Sequence, residues 1–381
     1  MNDFPTVAAS RCAEYDTEEL TRQIGKQFED LGINEDTFRG RRVALKPNLV
    51  AAKSPDAAAT THPAVVEAVY RNVMRLGAVD VILAESPGGP YSAATLSHIY
   101  RATGMRELSD RCGLKLNLDT SFRRMNFASG KKLREFDVIT PIADADIIID
   151  ICKLKTHSLT GLSCAVKNLF GVIPGTVKFE MHAAFSRIED FSEMLVDLNL
   201  TLAAEHEIIC VCDGIVSMEG NGPTNGNPVN TGWLLSSRST FALDIEAERL
   251  CGMDGETLYL NIGAERLGIP RSGGVADIAP APLKRPDSKA GGFLRHLPDY
   301  FGGSLARFFE PRPKISVRCV GCGKCVGYCP EGAIRLKTKK GKGARAAVID
   351  RSRCIRCYCC QELCPSGAVD TVRNAIIGFV H

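Results

Sequence analysis

The chain has 381 residues, 45% of them hydrophobic and 24% charged, with a formal net charge of +3. That balance excludes a disordered chain, supplies a sizeable core, and sets an expectation of two or three domains. No apolar run reaches the roughly 18–20 residues of a membrane span, and the opening MNDFPTVAASRCAEYD lacks the basic-then-apolar pattern of an export signal, so the expectation is a cytoplasmic protein.

The first predicted element is a short strand at RVALK (42–46). A helix over 63–76 follows, because Val65, Val66, Val69 and Val73 recur at helical spacing, with Thr61 as its cap and Gly77 as its stop. VDVILAE (79–85) is the next strand, which makes a βαβ unit with a parallel pair and a right-handed crossover. DIIIDIC (146–152), IICVCD (208–213) and TFALD (240–244) read as further strands. A helix from about 187 to 203 starts at a capping box formed by Ser186 and Glu189. These elements predict an α/β body with a mainly parallel sheet over residues 1–280.

Polar residues cluster where the predicted strands end. The first runs into Lys46 and Asn48, the second into Glu85 and Ser86, and the third into Lys153, Lys155 and His157. The fourth runs into Asp213 and the loop SMEGNGPTNG, which carries Glu219, Gly220, Gly222 and Gly226, and Lys167 follows the third strand in AVKNLFG. In open α/β sheets this carboxyl edge is where ligands bind. One lysine at a strand end is ordinarily a solvated side chain, and a lone histidine is ordinarily a structural hydrogen-bonder. The coincidence across four strands instead predicts a crevice for an anionic group such as a carboxylate or phosphate. The glycine-rich loop is neither a Walker loop nor a G-x-G-x-x-G turn, so no nucleotide fingerprint is present. Cys152, Cys164, Cys210 and Cys212 flank the region and read as buried structural cysteines rather than a third metal site.

Residues 281–313 form a Pro-, Gly- and charge-rich connector, and FLRHLPDYFGGSLARFF (293–309) within it reads as packing between domains rather than as a membrane-surface helix, since Pro298 and Gly302–Gly303 interrupt it. Nine of the sixteen cysteines then fall between Cys319 and Cys364, a clustering that signals metal ligation rather than disulfides. Cys319, Cys322, Cys325 and Cys329 follow C-x2-C-x2-C-x3-C with Pro330 next, and Cys354, Cys357, Cys360 and Cys364 repeat it with Pro365 next. Three thiolates two residues apart wrap one cubane and the fourth crosses to the other cluster. Cys319, Cys322, Cys325 and Cys364 are therefore assigned to one [4Fe–4S] cluster, and Cys354, Cys357, Cys360 and Cys329 to a second. Structural zinc fits this spacing poorly, and Cys359 reads as a bystander. Residues 314–372 resemble a bacterial-type two-cluster ferredoxin, which implies a small α+β domain over 314–381. Between the runs, RLKTKKGKGARAAVID reads as a hairpin with a basic tip; without interleaved aromatics it gives no sign of nucleic-acid binding. Residues 312–364 carry a net +10 against −7 for residues 1–311. This basic module either docks on the acidic body and offsets cluster charge, or receives an acidic electron-transfer partner.

ALKPNLV, KLKTH, AVKNLFGVIPG and DGIVSMEGNGPTNG, in this order and followed by a dicluster ferredoxin, resemble the domain of unknown function 362 family over roughly residues 40–250. The resemblance implies that Lys46, Asn48, Lys153, Lys155, His157, Lys167, Asn168, Asp213, Glu219 and Gly222 form the family's site. The expectation is an oxidoreductase that passes electrons from two [4Fe–4S] clusters to a small anionic substrate or a second cofactor in the body. Lys46, Lys153, Lys155 and Lys167 would hold the anion, with Asn48, Asn168 and Gly222 beside it. His157 would transfer a proton, and Asp213 or Glu219 would orient it or act as base. An electron carrier with no chemistry in the body, and a non-redox enzyme with structural clusters, remain as alternatives. A flavin site can lack a short signature, so a flavin stays open, as does the oligomeric state.

Overall fold

The structure is a computed structural model and describes residues 6–271, 278–288, 311–338 and 345–372. The amphipathic segment expected at 293–309 and the tip of the basic hairpin lie outside the described residues.

The body is built on β1 (Val7–Arg11), β2 (Arg42–Pro47), β3 (Asp80–Leu83), β4 (Lys115–Leu116), the separate hairpin β5 (Phe122–Asn126) and β6 (Glu135–Ile139), then β7 (Ile147–His157), β8 (Gly161–Ser163), β9 (Glu207–Glu219) and β10 (Asn227–Ser237). The main sheet runs β1-β10-β9-β7-β2-β3-β4, with β8 added to the end of β7. The pairs from β9 through β7, β2 and β3 to β4 are parallel, while β10 and β1 extend the sheet antiparallel. The mainly parallel α/β body is thus as the sequence implies.

Apolar layers cover both sheet faces. Val43, Leu45, Ile149, Ile151 and Val211 pack beneath helices Thr17–Asp30 and Pro63–Arg75. Ala44, Ile148, Cys152 and Leu154 pack beneath helices Ile188–Glu205 and Thr240–Leu250. The chain goes from β2 outward to β3 and β4, then returns to add β7 and β9 on the other side of β2. The order therefore reverses between β2 and β7, and such a reversal opens a ligand-binding position at the carboxyl edge.

Four local expectations are corrected. TFALD is not a strand: it opens helix Thr240–Leu250, whose N-cap Ser239 accepts from the Ala242 N–H. A short apolar run that is buried all round reads alike in either conformation. Helix Pro63–Arg75 is capped by His62, not Thr61; the Thr61 hydroxyl instead donates to Ile151 O at 2.6 Å and ties the helix to β7. Ser186 and Glu189 form no capping box, since the N-cap is Arg187 and makes no side-chain cap bond. Finally, β7 and β9 do not stop before the polar residues but run through them to His157 and Glu219.

The C-terminal module pairs β11 (Arg312–Ile315) with β14 (Val369–Val372), and β12 (Ile334–Thr338) with β13 (Arg345–Ile349), around two one-turn helices, Lys324–Gly327 and Cys359–Glu362. This is the small α+β ferredoxin-like arrangement expected, with the hairpin between the two cysteine runs. Residues 281–283 lie along the body, where the Ala281 and Leu283 N–H groups donate to Leu250 O and Cys251 O.

Candidate functional site

Burial dictates the state of the lysines on the carboxyl edge. Lys46, Lys153 and Lys155 are each no more than 1% exposed, and an ammonium group taken from water must find acceptors inside the protein. Lys46 Nζ donates to Glu85 Oε2 and to Pro47 O, both at 2.9 Å. Glu85 also accepts from the Leu49 and Ser86 N–H groups, which fixes its carboxylate. Gly171 makes room for the pair: a Cβ there would meet Glu85 Oε1 at 2.5 Å and Lys46 Nζ at 2.7 Å. Lys153 Nζ donates to Asp213 Oδ2 at 2.8 Å and to the Tyr15 hydroxyl at 2.9 Å, and that hydroxyl donates to Asp213 Oδ1. Tyr15 stacks on His62 at 3.7 Å between centroids. Lys155 Nζ donates to Asn48 Oδ1 at 3.0 Å and Ala59 O at 2.8 Å; burial, reinforced by Lys167, lowers it to about 7.

Asn168 binds β2 and β7 together, donating to Lys46 O at 3.1 Å and Asp150 Oδ1 at 2.5 Å. Asp150 is fully buried and its other oxygen has no partner among the described residues, so burial raises its carboxyl to about 8. Lys167 forms no ion pair among the described residues; its ammonium lies 5.0 Å from the Phe170 ring centre and 5.9 Å from that of Phe191. The carboxyl edge therefore gathers Lys46, Asn48, Lys153, Lys155, His157, Lys167, Asn168 and Asp213. The expected open anion crevice is not what they form, because the first three ammonium groups are already satisfied by the chain itself.

Two candidates lie apart. Glu219 accepts from the Lys284 N–H at 2.9 Å and fastens the segment after the body's last helix. Gly222 packs against β7, where a Cβ would come within 2.0 Å of Thr156 O, and its carbonyl accepts from Ser158 Oγ at 2.9 Å.

His157 leads to the ferredoxin module. Its Nδ1 accepts from the Leu159 N–H at 3.1 Å, which leaves the ring proton on Nε2. That nitrogen lies 3.2 Å from Glu362 Oε1, off the axis of a good hydrogen bond, so both atoms are otherwise without partners among the described residues. Burial lowers His157 to about 4, so the ring is neutral at pH 7. Glu362 stays anionic: burial pushes its carboxyl up, but His157, Lys167 and His182 outweigh this and hold it at about 2. Glu362 ends the helix Cys359–Glu362, whose last carbonyls have no helical partners. Thr224 Oγ1 donates to Glu362 O at 2.8 Å and Asn225 Nδ2 to Gln361 O at 2.9 Å. The glycine-rich loop therefore caps the ferredoxin's helix. Phe179 packs on Tyr328 at 5.3 Å and completes the seam. A cleft of about 530 Å³ opens along it, lined among others by Lys53, Asn221, Asn225, Arg318, Gln361 and Ser366. Gln361 is 2% exposed and its Oε1 has no partner among the described residues.

In the module, Cys319, Cys322, Cys325 and Cys364 line one cavity. The Ala333 N–H donates to Cys329 Sγ and the Ala368 N–H to Cys364 Sγ, both at 3.2 Å, so the duplicated sequence repeats one N–H···S bond. Sequence reasoning missed Glu362, Gln361, His182, Lys178 and Tyr15. Lys178 Nζ donates to Ser86 O, Ser86 Oγ and Ile173 O at 2.7–3.0 Å, and burial lowers it to about 7. Only Glu362 left a signal, as the one acid inside the second cysteine run.

Fold and cysteine geometry together define an iron–sulfur protein whose ferredoxin-like module is docked on an α/β body. Residues 318–368 match the 4Fe-4S dicluster domain, and residues 43–248 match the Domain of unknown function (DUF362); the chain belongs to that family. It is 30% identical over 272 residues to the Thylakoid-associated protein sll1697 of Synechocystis sp., covering 69% of this chain and 80% of that protein. The lactate racemase apoprotein from Thermoanaerobacterium thermosaccharolyticum is similar at a TM-score of 0.39 and 12% identity, over 66% of this chain and 59% of that one. Among the described residues no helix is long and apolar enough to cross a membrane.

Proposed function

We propose that the chain is a cytoplasmic iron–sulfur oxidoreductase that passes electrons from two [4Fe–4S] clusters to a small anionic substrate or second cofactor at the seam between its module and its body. The observation that carries this reading is Glu362, which sits between Cys360 and Cys364 yet packs against the buried His157 of the body at 3.2 Å. A ferredoxin serving only external partners needs no such anchor. Cys319, Cys322, Cys325 and Cys364 would hold one cluster and Cys354, Cys357, Cys360 and Cys329 the other. When bound, the clusters supply electrons one at a time, and two of them suit a two-electron reduction. The repeated N–H···S bonds stabilise thiolates at Cys329 and Cys364.

The cleft of about 530 Å³ is the proposed substrate seat, with Lys53 supplying positive charge, Arg318 paired with Asp370 on its wall, and Gln361 an unmet acceptor. Lys46, Lys153 and Lys155 act there as positioning residues: paired with Glu85, Asp213 and Asn48, they hold the strand ends rigid beneath it. Lys167 adds a cation with neither an ion pair nor a hydrogen-bond acceptor among the described residues, and His157 directs its Nε2 proton at the seam. The basic module, with Val317 at 92% and Val320 at 69% exposure beside Cys319, suits an acidic electron-transfer protein as donor. The internal pairing of the lysines favours a second reading, an electron carrier whose body binds a partner without chemistry.

The test is anaerobic purification, assay of iron, sulfide and any extracted flavin or metabolite, then dithionite titration followed by EPR. Roughly eight irons in two interacting, reducible clusters are expected, and the reduced protein should be reoxidised by an anionic substrate in a way that Asn225→Leu slows. Clusters that resist reduction overturn the redox reading. Reducible clusters reoxidised only by a partner protein, equally in both forms, would establish the carrier instead.

A further inference from the structure

The second face of the sheet holds a chemical group that this reading does not use. Cys152 on β7 and Cys212 on β9 are register partners, so their side chains lie next to each other on one face. Cys164, at the step from β8 into the one-turn helix Ala165–Asn168, closes over them. Cys164 Sγ lies 3.4 Å from Cys152 Sγ and 3.5 Å from Cys212 Sγ, and all three sulfurs fall within 4.8 Å of one another. Their exposure is 0–1%. Three segments distant in sequence thus deliver three soft donors to one point.

We infer that Cys152, Cys164 and Cys212 form a closed three-coordinate site for a soft thiophilic metal ion, of which Cu(I) is the best match. Three thiolates about 2.3 Å from one ion stand at the corners of a triangle with sides of about 4.0 Å, a size that the sulfur separations of 3.4, 3.5 and at most 4.8 Å bracket. An iron–sulfur cubane needs four ligands spread around a much larger core, and this site has neither. Structural zinc asks for a fourth donor. The neighbouring carboxylate, Asp244, cannot readily supply one, because its oxygens accept from the Ala165 N–H at 2.7 Å and the Val166 N–H at 3.0 Å. Those two bonds instead fix the turn that carries Cys164, as a positioning group does at metal centres. All-thiolate surroundings select Cu(I) among the common ions. Each thiolate formed releases one proton, so uptake of the ion acidifies the solution.

The experiment uses the full chain with its clusters intact. Under anaerobic conditions the protein is titrated with Cu(I) against a competing Cu(I) chelator, while cluster absorbance is recorded and bound copper is examined by X-ray absorption. One chelator-resistant copper per chain, surrounded by three sulfurs and bound with the cluster spectrum unchanged, is expected. Cys164→Ser and Cys212→Ser should each weaken that binding by more than 10-fold, while Cys112→Ser, half-buried elsewhere, should leave it unchanged. Circular dichroism and cluster content show that the variants are folded; if one is not, the other and Cys152→Ser carry the comparison. Copper that enters only as cluster absorbance falls, copper held equally by Cys164→Ser, or Zn(II) bound in preference to Cu(I) at the same site would each overturn the inference.

Discussion

Glu362→Gln removes one charge from the seam and keeps the side chain's shape. The carboxyl is held at about 2 against an ordinary 4.5, although its burial pushes the other way. The lowered value means that folding favours the charged form. The sign follows from it: this stability is present above pH 4.5 and is lost as pH falls toward 2. His157 and His182 are themselves neutral at pH 7, so the ionic contact that the glutamine forfeits there is with Lys167, worth on the order of 1–2 kcal/mol at this partly buried seam, and all three groups belong to the body. The loss therefore falls on the docking of the module rather than on its own fold. Hydrogen exchange across residues 156–160 and 359–363 in the anaerobic protein should speed up by on the order of tenfold, with iron content unchanged. A double-mutant cycle with Lys167→Met should show a coupling above about 0.5 kcal/mol. Exchange altered by less than about threefold, or strict additivity with Lys167→Met, would refute the claim that this carboxylate anchors the module electrostatically.

Three further outcomes follow from the same edge of the sheet. Asp150 keeps its proton up to about pH 8 because it is buried, so the fold loses roughly 1.4 kcal/mol per unit as pH rises from about 4 to 8; Asp150→Asn should flatten that slope in thermal unfolding and delete the infrared band of a protonated carboxyl. Gly171→Ala drives a methyl onto the Lys46–Glu85 pair and should cost about 3–5 kcal/mol in denaturant unfolding, whereas Gly327→Ala, with nothing within 4 Å of the added carbon, should change stability by under about 0.5 kcal/mol. Lys178→Met strands the acceptors Ser86 O and Ile173 O and should cost about 1–3 kcal/mol, read as a lower melting temperature at pH 6.

What the sequence could disclose was set by the range of the interaction. The cysteine spacing carries its meaning within eleven residues and repeats, so the ferredoxin module was legible outright. The parallel sheet was legible because β2, β7 and β9 are apolar runs of strand length, and their polar ends marked the edge where the strand order reverses. TFALD failed because a buried helix and a buried strand share one composition, and the difference lay in Ser239, just before it. The lysines were found but their state was not: Glu85, Asp213 and Asn48 come from other strands and loops, and only the assembled sheet shows that the two carboxylates pair with Lys46 and Lys153 while Asn48 accepts from Lys155. The same reason hid the role of the glycine-rich loop. Its Gly222 lets the chain lie against β7, and its Thr224 and Asn225 cap a helix some 136–138 residues away. A loop that reads as a ligand cradle is, in the folded chain, the seat of the protein's own electron-transfer module. On the proposed reading the substrate lies beside that module rather than beneath it, so the seam cleft is where ligand binding should first be sought.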